Sequence, residues 1–296
     1  MKRVESIVRT DDGVSLHVVC KGDGRRPVIV PNAVYLADEF DALLGDRTLA
    51  FFDTRNRGRS DRVTDPIRLR AGIHHDVDDL EAVRRALAFE QVDLIGWSYL
   101  GLMVALYAMK YPQRVGRFVQ LAPIQPHLAT QYPSDLCNHD AVYHGVMAAL
   151  AQMQSKPSSS DPVENCRLAW DTLRPLYVAR PEHVAMLSGW GFCEMETERH
   201  SSRHFIGTIL PSIGALELQL NDFASATMPA LVIHGTKDRS APFGGGQDWA
   251  RRLPNARLLR LEDVGHVAWM EAPGPTFAAL EKFLSGAWPV GAERVE

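Results

Sequence analysis

Short apolar runs alternate with amphipathic stretches along most of the chain, and the two periods predict strands and helices in turn. Val4 to Thr10 and Val14 to Cys20 are β-rich runs joined by Asp11-Asp12-Gly13, whose glycine accepts a positive φ, so the chain is expected to open with an antiparallel hairpin at a sheet edge. Pro27 to Val30, Thr48 to Asp53, Val92 to Trp97, Arg117 to Leu121, Pro229 to His234 and Ala256 to Leu261 are apolar runs of the length that buried parallel strands show. Val77, Leu80, Val83 and Leu87 recur at helical spacing, and Leu102 to Met109 is a run of helix formers and small residues. This alternation predicts an α/β fold: a mostly parallel, eight-stranded sheet with helices on both faces.

The βα rhythm stops at Ala122-Pro123-Ile124-Gln125-Pro126, and for roughly the next hundred residues only helical patterns occur. His139 to Gln154, Pro181 to Leu187 and Arg203 to Leu220, broken at Pro211, have helical spacing; Asp161-Pro162-Val163-Glu164 has the N-cap, first-turn proline and carboxylate of a helix start. Pro157-Ser158-Ser159-Ser160 reads as a flexible link. The pattern divides the chain into a core, residues 1–122 and 225–296, and a helical insertion, residues 123–224.

Composition narrows the function more than the fold. With 46% hydrophobic and 23% charged residues and a net charge of -4, the 296-residue chain has no basic excess to hold a phosphate backbone, so nucleic acid is not an expected partner. No run approaches the ~20 apolar residues of a membrane span, and Met1 to Ser6 is followed by no apolar signal region, so a cytoplasmic location without membrane attachment is expected. Cys20, Cys137, Cys166 and Cys193 are far apart, with no Cys-x-x-Cys and no matching histidine spacing. They are read as free thiols, and no metal or cofactor is expected.

The chemistry concentrates at Val92 to Gly101, where a buried strand gives way to a helix at Ser98. Gly96 lets strand and helix approach, and so sharp a turn lifts the serine hydroxyl above the sheet. Gly96-Trp97-Ser98-Tyr99-Leu100 resembles the nucleophile elbow of the α/β-hydrolase superfamily, with Leu100 in place of the second small residue and Gly101 one position late. Asp53-Thr54-Arg55-Asn56-Arg57-Gly58-Arg59-Ser60 resembles a structural loop of that superfamily. Its three arginines are expected to pair with carboxylates or to face solvent. Gly235-Thr236-Lys237-Asp238 resembles the segment that carries the triad acid, and Gly265-His266 the loop that carries the base. The resemblance spans residues 1 to 122 and 225 to 290; it implies an α/β-hydrolase fold in which the insertion is a cap over the active site.

A serine hydroxyl needs an imidazole to take its proton, and the imidazole needs a carboxylate to fix its tautomer. Ser98, His266 and Asp238 supply these groups in the superfamily's order, with Glu262 and Asp263 as rival acids close to His266 in sequence. The resemblance also implies an oxyanion hole of the Ala33 and Tyr99 N–H groups. His234 is read as a core histidine. Trp97, Glu194 and Glu198 are candidate substrate contacts. If Glu194 to Glu198 is helical, those two glutamates share a face and could hold a substrate ammonium, as in proline iminopeptidases; a solvated acidic face is the favoured alternative. The expected function is hydrolysis of a small carboxylic ester through an acyl-enzyme, with an aminopeptidase as the second reading. A lyase or a ligand-binding protein on the same fold is the reading of another class.

Overall fold

The computed structural model of the chain describes residues 2–155 and 159–296, so Pro157 and Ser158 of the expected link lie outside the described residues. The strands are β1 (Arg3–Arg9), β2 (Ser15–Lys21), β3 (Arg26–Pro31), β4 (Arg47–Phe52), β5 (Val92–Trp97), β6 (Val115–Leu121), β7 (Ala230–Gly235), β8 (Ala256–Leu261) and β9 (Ala292–Glu293). They form one sheet in the order β1-β2-β4-β3-β5-β6-β7-β8-β9. From β4 through β3, β5, β6 and β7 to β8 every pairing is parallel, and the antiparallel pairings lie at the two ends. The expected hairpin is present, with Val8 opposite Leu16. The ninth strand was not expected: two residues after the last helix are too few to carry a period.

Alternation along the strands decides which side chain meets which layer. Ile29, Leu94, Phe118 and Val232 point into one apolar layer with Val77, Leu80 and Val83 of α1 (Ile73–Ala86), Leu102 to Ala108 of α2 (Tyr99–Lys110) and Trp249 of α6 (Phe243–Arg252). Their neighbours Val28, Ile95, Val119 and Ile233 point the other way, with Leu36, Trp269 and Leu280 and Phe283 of α7 (Pro273–Leu284). Each such side chain contributes about 1.5–3 kcal/mol on burial, and a one-residue register slip would turn the whole set outward. The strand C-termini therefore keep one register, and the site loops hang from them.

Between β6 and β7 the described elements are helical, chiefly α3 (Ala141–Ser155), α4 (Pro162–Leu173) and α5 (Glu196–His204). Asp161 accepts from the N–H of Val163 and starts α4 as its sequence predicts. The free-thiol expectation fails for two cysteines. Cys166 on α4 and Cys193, 27 residues later, are joined in a disulfide with Cα atoms 5.8 Å apart, whereas Cys20 and Cys137 are free. The pairing arises from tertiary packing, which returns the chain from the end of α4 to its flank. Closing a loop of this length stabilises by about 3–4 kcal/mol on the chain-entropy account. We expect reductant to lower the denaturation midpoint of the native protein and to leave Cys193→Ser unchanged; coincident curves for the native protein with and without reductant would mean the bond is absent.

Among the described residues no helix is long and apolar enough to cross a membrane, and no group of His, Cys, Asp and Glu is placed to hold a metal ion.

Candidate active site

Ser98 sits where β5 passes into α2 with φ 60° and ψ -130°. A non-glycine residue held there stores on the order of 1–3 kcal/mol of strain, which the surroundings must sustain. They do so through the backbone: the Ser98 N–H donates to Leu121 O at 2.9 Å, and the Ser98 carbonyl accepts from Gly101 and Ile124. Gly96 is required because a Cβ there would stand 2.2 Å from the Leu100 carbonyl oxygen. The departure from a small residue at Leu100 is absorbed by burial of its side chain in the layer under α2.

Asp238 and His266 meet from the loops after β7 and β8. His266 Nδ1 lies 2.8 Å from Asp238 Oδ2, and both side chains are buried. A carboxylate facing Nδ1 puts the proton on that nitrogen and leaves Nε2 as an acceptor. Nε2 is itself buried and has no partner among the described residues, the state of a base waiting for a donor. Bonds of this kind often tighten only when substrate is bound. The rival acids are elsewhere: Glu262 and Asp263 are exposed, and Glu262 pairs with Arg260.

Four donors hold the Asp238 carboxylate. Oδ1 accepts from the N–H groups of Ser240 and Ala241, both at 2.8 Å, and Oδ2 accepts from His266 and from His234 Nε2 at 3.1 Å. Burial alone would push this carboxyl up, but His266 and His234 outweigh it and hold Asp238 well below the usual carboxylate range. His234 is thus a core histidine with a task. Its Nε2 lies between two acceptors, Asp238 Oδ2 and Ala241 O, so it carries a proton and donates to the acid. The sequence signal was available: His234 precedes Asp238 by four residues at the mouth of β7. Glu271 is the other residue sequence reasoning missed. Its buried carboxylate accepts from Gly265 N at 2.6 Å and from Ala179 N at 2.9 Å, tying the loop of His266 to the insertion.

The two N–H groups expected to form an oxyanion hole stand at element starts. Ala33 and Tyr99 are the first residues of helical segments, and neither N–H donates to a backbone or side-chain acceptor among the described residues. Asn32, at φ 82°, turns the chain into that segment, and Asp53 Oδ1 accepts from Val34 N at 2.7 Å, fixing the loop beside it.

The three candidate substrate contacts separate. Trp97 is buried, donates from Nε1 to His266 O at 3.0 Å, and packs its ring 5.1 Å from the His266 ring and 5.1 Å from that of Trp269. Glu198 is buried on α5 beside Arg57 and accepts from Gly58 N at 2.7 Å and from the Tyr35 hydroxyl at 3.2 Å. Glu194 is exposed and pairs with Arg167 on the surface. The shared helix face does not exist, because α5 begins at Glu196, after Glu194.

Each arginine of the Asp53 to Ser60 loop stands by a carboxylate, Arg55 by Asp79 and Asp12, Arg57 by Glu198 and Arg59 by Glu5. Gly58, at φ +49°, cannot carry a side chain, since a Cβ would lie 2.1 Å from Asp53 Oδ2.

A parallel sheet with a strained serine at the β5–α2 turn and a His–Asp pair on the loops after β7 and β8 is an arrangement shared by a large group of hydrolytic enzymes. Residues 32–273 match the family model for the alpha/beta hydrolase fold, and the chain belongs to that family and is an α/β-hydrolase. It is 26% identical over 212 residues to pimeloyl-[acyl-carrier protein] methyl ester esterase of Aromatoleum aromaticum, covering 70% of this chain and 80% of the relative. It is 25% identical over 286 residues to AB hydrolase superfamily protein YisY of Bacillus subtilis, covering 89% and 93%. Among solved structures, the esterase EaEST from Exiguobacterium antarcticum superposes with a TM-score of 0.72 at 20% identity over 96% of this chain and all of that one, which is a likeness of fold.

Proposed function

We propose that the protein is a serine hydrolase of small carboxylic esters, with Ser98 as nucleophile, His266 as general base and acid, and Asp238 as the carboxylate that orients and charges the imidazole. The observation that carries this reading is the buried His266–Asp238 hydrogen bond of 2.8 Å, with His266 Nε2 left without a partner and the His266 ring packed 5.1 Å from that of Trp97, the residue before the strained Ser98. Ser98 Oγ attacks the ester carbonyl as Nε2 takes its proton. The N–H groups of Ala33 and Tyr99 receive the oxyanion, the imidazolium returns the proton to the leaving alcohol, and water releases the acid by the same steps. Residues 123–224 act as a cap whose Tyr177 and Trp190 close the aromatic wall around Trp97 and His266.

The ester reading gains support over an aminopeptidase from the fate of the two glutamates. A substrate ammonium needs a carboxylate with free acceptor sites, and Glu194 is paired on the surface while both oxygens of buried Glu198 already accept, from Gly58 N and the Tyr35 hydroxyl. The relative from Aromatoleum aromaticum is named a methyl ester esterase, in keeping with the same reading. A cytoplasmic location is part of the proposal, and there thiols are kept reduced, so the Cys166–Cys193 bond would close only on exposure to an oxidising medium.

A fluorophosphonate probe tests the assignment. One equivalent of label is expected on the peptide that contains Ser98, with ester turnover lost in step. Labelling elsewhere, or full labelling with activity retained, would sink it.

A further inference from the structure

Arg57 is the arginine of its loop whose hydrogen-bond donors the described residues leave unused. Arg55 spends its guanidinium on Asp79 at 2.6 and 2.9 Å and on Asp12 at 3.0 and 3.3 Å, and Arg59 donates to Glu5 at 3.0 Å. Arg57 approaches Glu198 only edge-on, Nε to Oε1 at 3.4 Å, and its side chain donates no hydrogen bond among the described residues. Glu198 does not depend on it, since Gly58 N and the Tyr35 hydroxyl already serve its two oxygens. The four N–H hydrogens on the outer nitrogens of Arg57 are therefore available, in the planar fork that matches a carboxylate. Only 17% of the Arg57 side chain is exposed, so its free donors lie largely within the protein.

The aromatic neighbours of Arg57 link it to the candidate catalytic residues. The Arg57 guanidinium lies 5.4 Å from the ring centre of Tyr35, two residues beyond the N–H of Ala33. The Tyr35 ring in turn lies 6.5 Å from that of Trp97, which precedes Ser98 and stands 5.1 Å from the His266 ring. Burial alone would weaken the charge of Arg57, but Glu198 beside it outweighs burial and keeps the guanidinium protonated. With Glu198 beside it the locus is neutral before ligand binds, a balance that suits a monoanion better than a phosphate dianion.

We infer that Arg57 is a specificity-determining residue that binds a free carboxylate on the substrate, so that the preferred substrates are esters carrying a second, ionised carboxyl group. The inference rests on the ester-hydrolase reading for its choice of substrate, and the test separates the two. Mono-p-nitrophenyl adipate and its methyl ester release the same phenol and differ only in the free carboxylate. A charged hydrogen-bonded contact of this kind is expected to favour the free acid by about 10- to 100-fold in kcat/KM. That ratio is expected to fall to about one in Arg57→Gln, and to an intermediate value in Arg57→Lys, which keeps the charge and loses the fork. Arg57→Gln/Glu198→Gln removes both charges together, so its ratio is free of any damage from stranding a buried glutamate. Calorimetry of monomethyl adipate with Ser98→Ala reads binding without turnover, and adding Arg57→Gln is expected to abolish the heat. A native ratio at or below one, or a preference that survives in both Arg57→Gln variants, would overturn the inference. Full turnover in Ser98→Ala would instead overturn the catalytic reading, while the calorimetry would still report on Arg57.

Discussion

Ser98→Ala is expected to lower kcat on p-nitrophenyl acetate by several orders of magnitude, on the order of 10⁶-fold, with little change in the thermal midpoint. The substitution removes one oxygen and keeps everything that holds the turn: the Ser98 N–H still donates to Leu121 O, and its carbonyl still accepts from Gly101 and Ile124. The backbone strain at φ 60° is common to serine and alanine, so stability has no reason to move far. Initial rates and a melting curve on the same preparation check both halves. Turnover within tenfold of native would remove Ser98 from the mechanism.

Asp238→Asn is expected to cost about 10⁴-fold in kcat at neutral pH, because an amide can neither charge the imidazole nor keep its proton on Nδ1. With the tautomer reversed, Nε2 carries the proton and cannot accept from Ser98. The surroundings sharpen the effect: Oδ1 accepts from Ser240 and Ala241 N–H and Oδ2 from both histidines, so an asparagine, with one acceptor atom, must turn its NH2 towards one of these donor pairs. Glu262→Gln and Asp263→Asn serve as controls, because both residues are exposed, and their rates are expected to match the native enzyme. If Asp238→Asn stays active and Glu262→Gln does not, the acid belongs to the later loop. Acid sensitivity has a defined sign. The Asp238 carboxyl is depressed in the fold, so its contribution to stability is present above the ordinary carboxylate value of about 3.9 and is lost only as pH falls through its lower folded value.

The strands, and the places of Ser98, Asp238 and His266 at their ends, were readable because each is written locally. A buried parallel strand has a run such as Leu94-Ile95, whose alternate side chains go to opposite layers, and Ser98, Asp238 and His266 each follow a strand end. What the chain does not write locally was missed. Cys166 and Cys193 have no spacing that marks a pair; their meeting depends on how α4 and the chain after it pack. Glu194 and Glu198 look equivalent until the helix start at Glu196 divides them and the fold buries one against a loop far away in sequence. Asp53-Thr54-Arg55-Asn56-Arg57-Gly58-Arg59-Ser60 reads as three similar cations; only their partners show that one keeps its fork free.

The contact between α5 and Gly58 constrains how the residues between β6 and β7 can move. Both hydrogen-bonding sides of one core residue are taken: Gly58 N donates to Glu198, and the Gly58 carbonyl accepts from the Thr197 hydroxyl. A helix pinned at two adjacent residues travels with the core, so the insertion does not swing clear as one rigid flap about its ends. The Cys166–Cys193 link adds a covalent mooring three residues before α5, so α4 too is tethered to the pinned helix.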